Sequence, residues 1–74
     1  MIVGTTKTAI LKELRKGESY GYELARKVGI SVVGIYKHLV DLEAEGLIAH
    51  ESSNRRKVYR LTEKGRKLIE ALSM

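Results

Sequence analysis

Basic side chains that could bind phosphate are concentrated in one short stretch of the sequence. Four of the 14 lysines and arginines fall within six residues, and these are Arg55, Arg56, Lys57 and Arg60. Guanidinium and ammonium groups donate hydrogen bonds to phosphate oxygens and neutralise their charge. The 74-residue chain as a whole carries a formal net charge of +5. This positive surplus predicts an anionic partner, most often a nucleic acid.

The other residue types offer little for catalysis or metal binding. The chain has no cysteine, and its two histidines, His38 and His50, lack the HxxxH or HExxH spacing of a metal site. No combination of serine, histidine and carboxylate suggests a nucleophilic triad, and no glycine-rich phosphate loop is visible. We therefore expect no enzymatic activity, no bound metal and no cofactor.

Length and composition narrow the class of protein further. A chain of 74 residues can build one hydrophobic core but not two, and without cysteine that core has no disulfide support. No apolar run approaches the roughly 18 residues that indicate a membrane span, and residues 1–4 do not begin a secretory or transit signal. We expect one domain over residues 1–74, located in the cytoplasm and not bound to a membrane.

The basic stretch falls in a predicted β-hairpin. Apolar and polar residues alternate over 47–51 and 57–61, and the polar residues 52–56 lie between these two runs. Alternation places Lys57 on one face of its strand and Val58 and Arg60 on the other, whereas the arginines at the tip are free to extend.

Helical spacing of apolar residues predicts the remaining elements. The first helix spans 5–16, and the second follows an N-cap at Ser19 and ends at Gly29. A final helix follows the hairpin, with Thr62 as its N-cap. Lys7 and Tyr22 stand near the starts of the first two helices, where backbone N–H groups could assist phosphate binding.

The third helix has the clearest pattern. Ser31 is its expected N-cap and Gly46 its end. The residues expected in the core are Val32, Ile35, Leu39 and Leu42. The residues that point the opposite way are Val33, Lys37, Val40 and Ala44. Gly29 and Ile30 alone separate the second helix from the third, which predicts the sharp angle of a helix-turn-helix.

Three sequence blocks, in this order, carry a family resemblance. They are YGYELA at 20–25, IYKHL at 35–39 running into LEAEGLI at 42–48, and RKVYRLTEKG at 56–65. Over about residues 5–68 the chain resembles the DNA-binding half of the PadR family of transcriptional regulators, and it is similar to the related MarR group. The resemblance implies an α+β, mostly α, winged helix-turn-helix fold. This fold has three helices, a two-stranded β-hairpin wing and a short C-terminal helix.

The resemblance also implies sequence-specific binding of double-stranded DNA. The recognition helix, residues 31–45, would enter the major groove, and the basic wing, residues 52–57, would contact the flanking backbone or the minor groove. The expected DNA contacts are Ser31, Val33, Gly34, Tyr36, Lys37, Asn54, Arg55, Arg56 and Lys57. Lys37 is the foremost candidate for contacting a base. Tyr36 could instead pack against the hairpin, and Val33 and Val40 could form a patch that contacts protein.

Partners and alternatives follow from the size of the module. One winged helix buries only about 600 to 1,000 Å² of surface when it binds DNA, so we expect a homodimer on adjacent half-sites. The apolar residues available for it, unless they complete the monomer core, are Ile2, Val3, Leu68, Ile69, Leu72 and Met74.

We expect no small-molecule effector, because only residues 65–74 follow the wing, whereas family members usually continue into longer helices. The alternatives are a non-specific architectural nucleic-acid-binding protein or a winged-helix protein-interaction module.

Overall fold

Four helices and a small antiparallel sheet make up the fold. The computed structural model describes residues 5–72. In chain order the elements are α1 Thr5–Lys16, β1 Ser19–Tyr20, α2 Gly21–Val28, α3 Val32–Ala44, β2 Ile48–Ser53, β3 Arg56–Leu61 and α4 Glu63–Leu72. The predicted order of helices and hairpin strands is confirmed, with one strand added. None of the helices within residues 5–72 has the length and apolar content needed to cross a membrane.

Local capping fixes where α3 and α4 begin. The hydroxyl of Ser31 accepts a hydrogen bond from the Gly34 N–H at 3.0 Å, as predicted for an N-cap. The Thr62 hydroxyl likewise accepts from the Gly65 N–H at 3.1 Å. The same hydroxyl donates to the carbonyl oxygen of Gly46 at 2.6 Å, which ties the start of α4 to the end of α3.

The start of α2 differs from the prediction. Ser19 is not its N-cap, because Ser19 and Tyr20 form the short strand β1, and Tyr20 occupies the cap position without a side-chain hydrogen bond. Strand β1 pairs antiparallel with β3, with Ser19 opposite Tyr59 and Tyr20 opposite Val58. The sheet order is therefore β1-β3-β2. A two-residue strand is too short to show alternation, so the sequence contained no periodic signal for it.

The core joins all four helices to the base of the hairpin. Its fully buried large side chains are Ile10, Leu11, Leu24, Ile35, Leu39, Leu42, Ile48 and Ile69. Val32 was expected in this core but is 42% exposed. Periodicity assigns Val32 to the apolar face of α3. It does not indicate whether other elements pack over that face at the first turn of the helix, where Val32 lies.

Candidate nucleic-acid interface

The outward face of α3 is exposed and carries one unpartnered cation. Val33 is 72% exposed and Val40 is 65% exposed. Lys37 lies between them in the sequence, is exposed, and makes no side-chain hydrogen bond or ion pair within residues 5–72. Ser31 is also exposed, and its neighbour in the cap, Gly34, is half-buried. The Lys37 ammonium group is therefore free to donate hydrogen bonds to a bound ligand.

Tyr36 packs inward as well as facing the surface. It is partly buried against the core, and its ring meets that of Tyr59 edge to face, with centroids 6.4 Å apart. Its hydroxyl also reaches the first residue of α2, since a Cβ added to Gly21 would lie 2.5 Å from that oxygen. The Tyr36 ring therefore packs against the hairpin while the side chain also lines the surface, and the position of its hydroxyl explains why glycine stands at position 21.

The connection at the tip of the hairpin has fewer residues than predicted. Ser53 pairs with Arg56, so the connection consists only of Asn54 and Arg55 rather than all of residues 52–56. Both loop residues have positive φ, 51° at Asn54 and 67° at Arg55. Positive φ at both central positions is characteristic of a type I′ turn, whose twist matches that of the two strands.

The basic residues of the hairpin have different surroundings. Arg60 forms an ion pair with Glu51 at 3.6 Å across the hairpin. The guanidinium carbon of Arg56 lies 5.2 Å from the centroid of the Tyr20 ring. Arg55 and Lys57 are exposed and have no side-chain hydrogen bond or ion pair in the described part of the chain. Arg55, Arg56 and Lys57 therefore remain available to an anionic ligand. Arg56 differs from the other two because it contacts the Tyr20 ring.

These cations border an open groove between the start of α2, the recognition helix α3 and the wing. The groove has a volume of about 490 Å³. Its lining consists of Tyr20, Tyr22, Glu23, Tyr36, Arg55, Arg56 and Lys57. The Glu23 carboxylate is paired with Arg26 one turn further along α2. The groove thus combines aromatic rings with a net positive rim.

The groove brings together predicted and unpredicted residues. Tyr36, Arg55, Arg56 and Lys57 were predicted to contact DNA, and Tyr22 was considered for a phosphate contact. Tyr20 and Glu23 were not singled out. The block that contains both residues was visible in the sequence, but only the pairing of β1 with β3 brings Tyr20 to the wing.

Several titratable groups outside the groove are held in structural contacts. Lys7 lies 3.0 Å from His38 Nδ1 and 3.5 Å from an Asp41 oxygen, which joins α1 to α3 and makes a phosphate contact by Lys7 less favourable. His50 Nδ1 lies 2.6 Å from a Glu43 oxygen. Burial raises the pKa of the Tyr59 hydroxyl, with smaller contributions from Tyr36 and Glu43, so this phenol stays neutral. Within residues 5–72 no group of three or more potential metal ligands occurs.

Known proteins share this architecture. The family model described as the transcriptional regulator PadR-like family matches residues 10–71. A mutant of ZitR from Lactococcus lactis is 26% identical, with a TM-score of 0.91 over 99% of this chain and 52% of that chain. A ZitR mutant in complex with DNA is 25% identical, with a TM-score of 0.89 over 97% of this chain and 51% of that chain. No curated protein sequence matches the chain significantly.

A third structure shows that the fold persists at lower identity. BpsR from Bordetella bronchiseptica, whose DNA binding is regulated by 6-hydroxynicotinic acid, is 21% identical. Its TM-score is 0.90 over 96% of this chain and 54% of that chain. The chain thus spans about half the length of these solved proteins. Together they confirm the predicted winged helix-turn-helix fold.

Proposed function

The chain belongs to the PadR-like family of transcriptional regulators, and from this premise we propose that it binds double-stranded DNA in a sequence-specific manner. In this proposal residues 1–74 act as one winged-helix domain in the cytoplasm, with no catalytic role. The recognition helix α3 enters the major groove, and the wing contacts the flanking backbone or the minor groove. The existence of a DNA complex of the similar protein ZitR supports this assignment.

One observation carries the proposal. Lys37 on α3 and the cations Arg55, Arg56 and Lys57 on the wing are all exposed, on two elements that border a common groove. A duplex seated against this surface would present base edges to α3 and phosphates to the wing. The other proposed contacts are Ser31, Val33, Gly34, Tyr36 and Asn54. Val33 suits a thymine methyl group, and the Ser31 hydroxyl can still donate while its oxygen caps α3.

Selection from a random pool of DNA duplexes at fixed salt tests this function. We expect an enriched motif, bound much more tightly than random duplex. If each protomer neutralises about four to six phosphates, the slope of log K against log salt will be about −4 to −5 per protomer. Equal affinity for selected and random duplexes would instead support the architectural alternative. Absence of DNA binding at low salt would favour a protein-interaction module.

Arg55→Gly should separate the electrostatic role of the wing tip from its folding role. Arg55 has a φ of 67°, which glycine adopts without a Cβ penalty. We therefore expect the free energy of unfolding to stay within about 1 kcal/mol of that of the original chain. The loss of one phosphate contact should lower the salt slope by about one unit and weaken binding equally on all duplexes.

Arg15→Gln is the matched control for Arg55→Gly, because Arg15 is an exposed arginine on α1, outside the groove. It removes the same charge and should leave the salt slope unchanged. The measurements are chemical denaturation and duplex titration over a range of salt concentrations. An unchanged slope for Arg55→Gly would mean that the wing tip does not reach a phosphate.

We also propose that the DNA-bound form is a homodimer. Of the apolar residues considered for the interface, Ile69 is fully buried in the monomer core and Leu68 is partly buried against it. Leu72 remains 37% exposed. Ile2, Val3 and Met74 lie outside the described residues. Among the residues considered, Leu72 at the end of α4 is therefore the exposed one within residues 5–72 that supports this part of the proposal.

A small-molecule ligand could regulate DNA binding by this chain, as it does in some relatives. The sequence led us to expect no small-molecule effector, and this expectation remains a prediction. The structural relatives do not support it, since ZitR is described as zinc-responsive and BpsR responds to 6-hydroxynicotinic acid. Scanning the chain with metal ions and aromatic acids while monitoring duplex binding tests the prediction directly.

A further inference from the structure

The contact between Tyr20 and Arg56 joins the wing to the helix-turn-helix. Tyr20 pairs with Val58, and Arg56 precedes Val58 by two residues on the same strand. Arg56 is therefore the diagonal cross-strand neighbour of Tyr20 on one face of the sheet. The separation of 5.2 Å between its guanidinium carbon and the ring centroid lies within the range of cation–π contacts.

The contact with the Tyr20 ring restricts the Arg56 side chain without using its hydrogen-bond donors. A free arginine side chain samples many rotamers, and this freedom is lost when it binds a ligand. Tyr20 contacts Arg56 through its ring rather than through a hydrogen bond, so the five N–H donors of the guanidinium have no hydrogen-bond partner within residues 5–72. Arg55 and Lys57 have no such support within the described residues. Arg56 is therefore the pre-organised cation of the wing.

The position of Tyr20 defines where this cation is held. Tyr20 immediately precedes α2 and occupies its N-cap position, so Arg56 is held at the start of that helix. Tyr22 and Tyr36 line the same groove and can offer hydroxyl groups. The one carboxylate in the lining, that of Glu23, is neutralised by its ion pair with Arg26. The groove's volume of about 490 Å³ lies within the range of clefts that bind small ligands.

From the Tyr20–Arg56 geometry we infer that Tyr20 is a positioning residue, which holds Arg56 so that the groove between α2 and the wing binds one phosphodiester of the DNA backbone. This inference rests on the proposed function, because it identifies where DNA binds on the same surface. The bound phosphate would lie between the start of α2 and β3, which Tyr20 and Arg56 join.

A double-mutant cycle on the selected duplex tests this inference. The variants are Tyr20→Leu, Tyr20→Phe, Arg56→Ala and the pair Tyr20→Leu with Arg56→Ala. We expect Tyr20→Phe to bind within about two-fold of the original chain, because the ring face is retained. Tyr20→Leu should weaken binding about three- to five-fold, the weight of an exposed cation–π contact. Arg56→Ala should weaken binding further and lower the salt slope by about one unit.

The decisive result is the effect of Tyr20→Leu when Arg56 has already been replaced by alanine. In the Arg56→Ala background this substitution should change affinity by less than about 1.5-fold, because no guanidinium remains to be positioned. An undiminished effect of Tyr20→Leu in that background would overturn the inference and mean that Tyr20 acts through folding alone. Equal weakening by Tyr20→Phe and Tyr20→Leu would overturn it too, since the hydroxyl would then be the contact.

The original chain is titrated in the same experiment. Its failure to bind any duplex would reject the proposed function, whereas normal binding without coupling between Tyr20 and Arg56 would reject only the inference. Thermal unfolding of each variant, followed by circular dichroism, confirms that affinities are compared between folded proteins.

Discussion

Replacement of Lys37 by alanine is expected to weaken binding to the selected duplex about 10-fold and to change binding to random duplex by no more than about two-fold. Lys37 is exposed on α3 and has no side-chain partner within the described residues, so the free protein loses no interaction when it is removed. A lysine that donates to guanine O6 or N7 discriminates between bases, and about 10-fold corresponds to the lower part of the range for such contacts.

Lys12→Ala provides the matched control for Lys37→Ala. Lys12 is an exposed lysine on α1, outside the groove, and its removal changes the net charge by the same amount. We expect a small loss that is the same for selected and random duplexes. Competition titrations at one salt concentration measure both variants. Equal losses on the two duplexes for Lys37→Ala would mean that Lys37 contacts phosphate, and direct base readout by this residue would be rejected.

Replacement of Gly65 by alanine is expected to lower the free energy of unfolding by about 2 to 3 kcal/mol. Gly65 is buried in α4, and a Cβ at this position would lie 2.0 Å from the carbonyl oxygen of Leu47. That oxygen accepts a hydrogen bond from the Thr62 N–H at 3.1 Å, so it cannot withdraw without breaking a contact. The clash outweighs the helix preference for alanine over glycine, which is about 1 kcal/mol.

Thermal unfolding measures this effect. For a domain of this size, a loss of 2 to 3 kcal/mol corresponds to a fall in melting temperature of roughly 10 to 20 °C. Lys67→Ala is the control, because it places alanine on the exposed face of α4 and removes only a surface pair with Glu63 at 3.7 Å. It should change the free energy of unfolding by less than about 0.5 kcal/mol. An unchanged melting temperature for Gly65→Ala would show that α4 can move away from Leu47 at no cost.

Features that depend on neighbouring residues were predictable. The Ser31 cap of α3 involves a partner only three positions away. The length of α3 follows from the apolar spacing within the helix. The Thr62 cap is recognisable for the same reason. The wing could be predicted because alternation, a polar tip and clustered arginines all lie within one short segment. The longest of these signals, that of the wing, spans only residues 47–61.

Features that depend on distant residues were not predictable. Ser19 looked like a helix cap because serine commonly is one, but its backbone pairs with Tyr59 instead. The exposure of Val32 depends on which elements reach the first turn of α3, and the period of the sequence does not contain that information. Ile69 is a core residue rather than an interface residue because α4 packs back onto the rest of the fold.

The sequence by itself determined the order of the four helices and the two hairpin strands, the resemblance to the family and the location of the positive charge, because periodicity, caps and motifs are all encoded over a few residues. Only the tertiary structure decided which charges act together. Strand β1 brings Tyr20 to Arg56, Arg60 pairs with Glu51 across the hairpin, and a groove forms between the start of α2, α3 and the wing. Such contacts arise when the chain closes on itself, and their partners are selected by the packing of the whole domain rather than by neighbours in the sequence.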